Sequence, residues 1–132
     1  IAASHPYDIV IGSDTVVAAK GEILGKPADA DDAYRMLAML SGTSHSVFTG
    51  VAVVKNGETH SFTEETKVKF FPLTEKEIED YTATGEPFDK AGAYGIQDIG
   101  ALLVEGIDGD YYNVMGLPAG RLYRLMKELQ II

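Results

Sequence analysis

The chain has 132 residues, with 20 Asp and Glu against 11 Lys and Arg, a net charge of −9 and no cysteine. Its length fits one domain, spanning 1–132, with a sizeable core. The acidic balance argues against a nucleic-acid partner, and the lack of cysteine excludes disulfides and thiolate metal sites and suits a reducing cytoplasm. No apolar run approaches the ~18 residues of a membrane span, so no membrane partner is expected.

Tyr7 to Gly12 reads as a strand, apolar on both faces and therefore central in its sheet. Thr15 to Ala19 continues it past a bend at Ser13-Asp14, and Lys20-Gly21 turns the chain into a short return strand, Glu22 to Leu24. Ala30 to Leu40 is a helix with Ala33, Met36, Leu37 and Leu40 on one stripe. Asp29 is placed to cap it, and Gly42 ends it. Ser46 to Lys55 and Thr59 to Phe71 are two long strands joined by Asn56-Gly57, a strong hairpin signal. Thr74-Glu75-Lys76-Glu77 is a capping box opening a helix to Thr82. Gly85 to Ile99 is glycine-rich and has no clear period. Ala101 to Ile107 reads as a strand, Tyr111 to Val114 as its partner, and Pro118 to Leu129 as a last helix. The fold class is α/β: a mixed sheet with hairpins and flanking helices.

Two stretches carry chemistry. Asp14 follows an apolar strand, and ligands of open α/β sheets gather beyond strand ends. A carboxylate there can hold a divalent cation or take a proton from an attacking water. It can equally cap a turn. Lys26 stands between Gly25 and Pro27, a setting that suits a phosphate oxygen or a plain solvated lysine. Phe88 to Gln97 gathers Asp89, Lys90 and Gln97 around Gly92 and Gly95. The Gln97 amide both donates and accepts, as reading a nucleobase edge requires. The glycines form neither GxGxxG nor GxxxxGK[ST], so the stretch is equally a flexible turn. His5, His45 and His60 lack ligand spacing and read as structural.

The order of motifs is more telling than any one of them. GSDT at 12–15, GKP at 25–27, LSGTSHSVFTGVAV at 40–53, EETKVKF at 64–70, GEPFDKAGAYGIQ at 85–97 and VEGIDGDYYNVMGLP at 104–118 occur in sequence. This pattern resembles the Maf family of nucleoside triphosphate pyrophosphatases, also called septum-formation inhibitors. The resemblance implies a fold like that of the inosine triphosphate pyrophosphatases. It also implies hydrolysis of a nucleoside triphosphate to the monophosphate and pyrophosphate, with Mg²⁺ or Mn²⁺. Carried onto this chain, it implies Asp14 as proton acceptor and metal ligand, and Lys26 as a catalytic phosphate contact. Thr15 and Gln97 match positions of base selection, and Lys90 is a further candidate for the substrate phosphates. The DT and YGIQ elements are similar to the branch acting on dTTP and UTP. A homodimer in the cytoplasm is expected.

The S-x-S-P-R-R segment of such proteins is not among these 132 residues, and no Arg-Arg pair occurs. Arg35, Arg121 and Arg124 fall on predicted helices instead. The resemblance therefore implies a member lacking about its first third, with weak or no turnover alone. Two other readings stay open: a nucleotide-binding module linked to cell division without catalysis, and a fragment that oligomerises through an exposed sheet edge.

Overall fold

The computed structural model describes residues 9–132. Five strands, β1 (Ile9–Ala19), β2 (Glu22–Leu24), β3 (Ser44–Lys55), β4 (Glu58–Phe70) and β5 (Val104–Asp108), form one sheet in the order β2-β1-β3-β4-β5. Four α-helices accompany it: α1 (Ala30–Leu40), α2 (Glu75–Ala83), α3 (Tyr111–Met115) and α4 (Ala119–Glu128). Three short 3-10 segments, Glu86–Asp89, Ala91–Ala93 and Ile99–Leu103, lie between α2 and β5. The architecture is the expected α/β arrangement of hairpins and flanking helices. Where a mixed sheet is expected, every pairing among the described residues is antiparallel. The reason is the return path: α1, and the segment containing α2, each bring the chain back to the end of the sheet where β1 finishes.

Local chemistry explains the elements that match expectation. Lys20 and Gly21 (φ 50° and 79°) and Asn56 and Gly57 (φ 51° and 78°) both take left-handed conformations, the geometry of a tight two-residue hairpin. The Asp29 side chain accepts the Asp32 amide at the start of α1, and Thr74 and Glu77 form the reciprocal capping box of α2. β3 is central, as its two-faced apolar pattern requires.

Other expectations are corrected. The predicted strand at Tyr7 to Gly12 begins outside the described residues. Within them, β1 does not bend at Ser13-Asp14: its register with β3 runs unbroken from Ile9 opposite Lys55 to Ala18 opposite Ser46. Its first half is not central either. β2 reaches only Val17 to Ala19, so among the described residues the outer edge of β1 is unpaired from Ile9 to Val16. The apolar run at 99–103 forms a 3-10 segment before a shorter β5, because a short apolar run alone does not distinguish strand from helix. Tyr111 to Val114 is not a returning strand but part of α3, capped by the Asp110 side chain accepting the Tyr112 amide and ended by Gly116 at φ 117°.

All the helical packing falls on one face of the sheet. At one end Val17, Ala19, Val47 and Val68 pack against Ala33, Met36, Leu37 and Leu40 of α1. Each such buried side chain contributes roughly 1.5–3 kcal/mol. At the other end Val51 and Val53 pack with Leu122, backed by Leu125 and Met126 of α4. The opposite face presents Val10, Asp14, Val16, Phe48, Ala52 and Val54, none of them fully buried.

Three contacts hold the loop between α2 and β5 in place. Glu86 accepts from the Tyr81 hydroxyl (2.7 Å), the Gly100 amide (3.0 Å) and the Ile99 amide (3.2 Å). Tyr81 Oη in turn accepts the Gly95 amide at 3.1 Å. The burial of Tyr81, with Glu86 accepting its proton, holds the phenol pKa well above the usual range. Gly92 takes φ 72° with its missing Cβ position only 2.8 Å from Val17 Cγ2, so no larger residue fits without displacing β1. Beneath the loop, the His45 ring sits edge-on to Phe70 and Tyr94, and His45 Nε2 is 2.7 Å from the Tyr94 hydroxyl. His45 is 3% exposed and burial pushes its pKa down to about 4.

Two outcomes are expected. Gly92→Ala should destabilise the fold by about 2–4 kcal/mol, from left-handed strain plus overpacking, read as a lower urea midpoint; an unchanged midpoint would show that β1 yields freely. His45 binds a proton more readily unfolded (6.5) than folded (about 4), so stability present above pH 6.5 is lost as pH falls towards 4. That loss, on the order of 3 kcal/mol, should be present in wild type and missing in His45→Gln when urea titrations at pH 7.5 and 4.5 are compared.

Candidate functional site

β1, the loop after β2, the 88–97 loop and the end of α3 surround a cleft of about 320 Å³ on the helical side of the sheet. Thr15, Lys26, Lys90 and Gln97 all line it, together with Tyr94 and Met115. Successive residues of a strand point to opposite faces, so Thr15 and Val17 look into the cleft. Lys26 reaches it because β2 is only three residues long and releases the chain beside β1. The Gly92 amide donates to the Gly25 carbonyl at 3.1 Å, which ties the Lys26 loop to the 88–97 loop. Lys90 lies along Gly95, where an added Cβ would come within 2.7 Å of Lys90 Cδ, and its ammonium is 3.3 Å from Asp89. Lys26 has no ion-pair partner among the described residues. The cleft thus holds two ammonium groups against one exposed carboxylate, a positive spot in an acidic protein. Gln97 is exposed at its rim.

Asp14 is not in this cleft. The unbroken β1 register turns its side chain to the opposite face, directly across from Gly50. There it borders a shallow trough floored by Gly12, Gly50, Ala52, Ser61 and Thr63. The premise that Asp14 ends a strand fails, because Gly12-Ser13-Asp14 continues the pleat. Asp14 and the cleft therefore lie on opposite faces of β1.

No cluster of three or more His, Asp or Glu side chains suited to a metal ion occurs among the described residues. Asp14 stands without a second carboxylate in its trough. The described residues do not by themselves make a resident metal centre.

The residues that sequence reasoning missed are buried polar ones. Asn113 is fully buried, and its amide nitrogen lies 3.1 Å from the Val47 carbonyl, 3.2 Å from the Glu64 carbonyl and 3.1 Å from Thr66 Oγ1. Its own carbonyl accepts from Thr49 Oγ1 at 3.2 Å, and Thr49 Oγ1 is 2.9 Å from Thr15 Oγ1. Thr66 Oγ1 donates to the Asp110 carbonyl at 2.8 Å. These bonds pin α3 to the sheet and set Val114, Met115 and Gly116 as one wall of the cleft. Thr49 and Thr66, threonines on the same face of neighbouring strands, were the signal of this in the sequence.

Among curated proteins the chain is similar to the dTTP/UTP pyrophosphatase of Halalkalibacterium halodurans, 53% identical over 127 residues, which is 96% of this chain and 67% of the relative. It is 50% identical over 131 residues to the Bacillus cereus dTTP/UTP pyrophosphatase, covering 99% of this chain and 69% of the relative. Against the Carboxydothermus hydrogenoformans dTTP/UTP pyrophosphatase it is 52% identical over 130 residues, with 97% and 70% covered. The chain thus spans about two thirds of the length of these relatives. Residues 1–129 match the family model described as Maf-like protein. With GSDT, GKP and DKAGAYGIQ carried on the strand and loops that build the cleft, the chain belongs to the Maf-like protein family.

Proposed function

We propose that this protein is a nucleoside triphosphate pyrophosphatase that hydrolyses dTTP or UTP to the monophosphate and pyrophosphate, a house-cleaning activity on pyrimidine nucleotides. The observation that carries the reading is the convergence of Thr15, Lys26, Lys90 and Gln97, far apart in sequence, on one cleft. The relatives' names, dTTP/UTP pyrophosphatase, agree with it.

In this reading the base lies between Thr15 and Gln97, whose hydroxyl and amide answer its polar edge. Lys26 and Lys90 offset the phosphate charge that a chain of net charge −9 would otherwise repel. In this reading the α–β anhydride of the triphosphate is brought to Asp14. There the Asp14 carboxylate takes a proton from water as the water oxygen bonds to phosphorus. The bond to the bridging oxygen breaks, and pyrophosphate leaves with the electron pair, while Lys26 and Lys90 offset charge on the phosphate nearest the base. A divalent cation, Mg²⁺ or Mn²⁺, is proposed as a companion of the triphosphate. Dimerisation and a cytoplasmic setting remain part of the proposal. The lack of cysteine suits a reducing compartment, and no helix among the described residues is long and apolar enough to cross a membrane.

One observation favours a second reading. Asp14 faces away from the cleft, so a protein that binds nucleotide without hydrolysing it needs only the cleft residues.

The test is pyrophosphate release from dTTP, UTP, CTP and GTP, with nucleotide affinity measured in parallel. Asp14→Asn should lower kcat by two or more orders of magnitude and leave affinity within a fewfold. Affinity without pyrophosphate release in the wild type would instead establish the binding module, and an unchanged kcat in Asp14→Asn would remove Asp14 as the base. Lys26→Ala should weaken nucleotide binding tenfold or more, with the loss shrinking as salt rises.

A further inference from the structure

The buried contacts behind Thr15 fix where its hydroxyl proton points. The Asn113 carbonyl can only accept, so Thr49 Oγ1 must be the donor in that 3.2 Å contact. Thr49 has one hydroxyl proton and is fully buried, with no water to turn to. Both contacts are then hydrogen bonds only if Thr15 donates to Thr49 at 2.9 Å. The reverse assignment gives up one hydrogen bond inside the protein, worth ~0.5–1.5 kcal/mol net, while the Asn113 backbone carbonyl keeps the Gly116 amide. The direction of the chain is therefore Thr15 hydroxyl to Thr49 hydroxyl to Asn113 carbonyl.

The Asn113 carbonyl is itself a fixed point. It accepts the Gly116 amide at 3.0 Å where α3 ends, and the Asn113 side chain is held by β3 and β4. Gly116 in turn lies beside Thr15: an added Cβ there would be 3.8 Å from Thr15 Oγ1. The relay is thus anchored by the same helix that walls the cleft.

From this we infer that Thr49, acting through Thr15, turns an acceptor towards the base on the Thr15 side of the cleft and so favours a pyrimidine carrying an N3–H. Thr49 is a positioning residue. It touches no ligand but spends the Thr15 proton inward, which leaves Thr15 lone pairs towards the cleft. Uracil and thymine present a donor at N3, whereas cytosine presents an acceptor there. An acceptor facing an acceptor is repulsive, and rotating the Thr15 hydroxyl to relieve it gives up its bond to Thr49. The inference rests on the proposed function for the contact of base with Thr15, but not for the direction of the relay.

The experiment compares UTP, CTP and 3-methyl-UTP on the full chain, reading both kcat/KM for pyrophosphate release and nucleotide affinity. The wild type should prefer UTP to CTP and lose tenfold or more on 3-methyl-UTP. Thr49→Val frees the Thr15 proton, so the UTP-to-CTP ratio should fall at least tenfold, chiefly by a gain on CTP. Thr49→Ser should restore the ratio. A merely structural role would lower UTP and CTP alike, and an unchanged ratio in Thr49→Val overturns the relay. An unchanged ratio in Thr15→Val overturns the contact of Thr15 with the base, and the relay's role with it. If no nucleotide yields pyrophosphate, the proposed catalysis fails, and the affinity ratios still decide the relay. Should Thr49→Val not fold, the 3-methyl-UTP comparison on the wild type decides: equal use of both nucleotides overturns the inference.

Discussion

The burial of Asn113 is the constraint around which the site is built. The helical face of the sheet has two apolar patches, Val17, Ala19, Val47 and Val68 at one end and Val51 and Val53 at the other. Between them runs a polar row, Thr15 opposite Thr49 opposite Glu64. A helix packed on that row with an apolar side chain would forgo the bonds to the Val47 and Glu64 carbonyls. The Asn113 amide meets both. α3 is only five residues long and would not hold its shape in isolation. Its position is set by this one side chain, by the Asp110 carbonyl bonded to Thr66, and by its glycine end.

The same logic explains a cleft in so small a chain. The two apolar patches recruit α1 and α4 to opposite ends, so the middle of the sheet is left to α3 and the 88–97 loop. The loop is rigid because Glu86 and Tyr81 satisfy its amides from within. Lysines are thereby brought to a surface that is otherwise negative. The net charge of the protein and the local charge of the cleft have opposite signs, which favours a small anion over a polyanion that would meet the whole surface.

What the sequence disclosed depended on how local the signal was. α1, α2 and both tight hairpins follow from caps and turn residues within a few positions of one another, and these were legible. α3 was not. Tyr-Tyr-Asn-Val has the composition of a strand, and its helical state is decided by partners on β3 and β4 more than forty residues away. Four of the five candidate site residues were found because motif order, not local pattern, pointed to them, and they do share a cleft. Asp14 was found by the same route but misplaced. Gly-Ser-Asp looks like a break in a strand, yet its small residues lie in the pleat, and Gly50 across from Asp14 leaves the carboxylate uncovered.

That pleat has an evolutionary consequence. Asp14 and Thr15 are consecutive, yet they serve opposite sides of one sheet, so their order is a matter of phase. Inserting or deleting a single residue ahead of β1, without slipping the β1–β3 pairing, would leave both in place. A one-residue slip of that pairing would exchange them, sending the carboxylate inward among threonines and the hydroxyl out to water. A slip of two would preserve the faces but take Asp14 away from the gap over Gly50. Length changes in this part of the chain are therefore tolerable only before the strand or after it, and the GSDT run is bound to its register as firmly as to its chemistry.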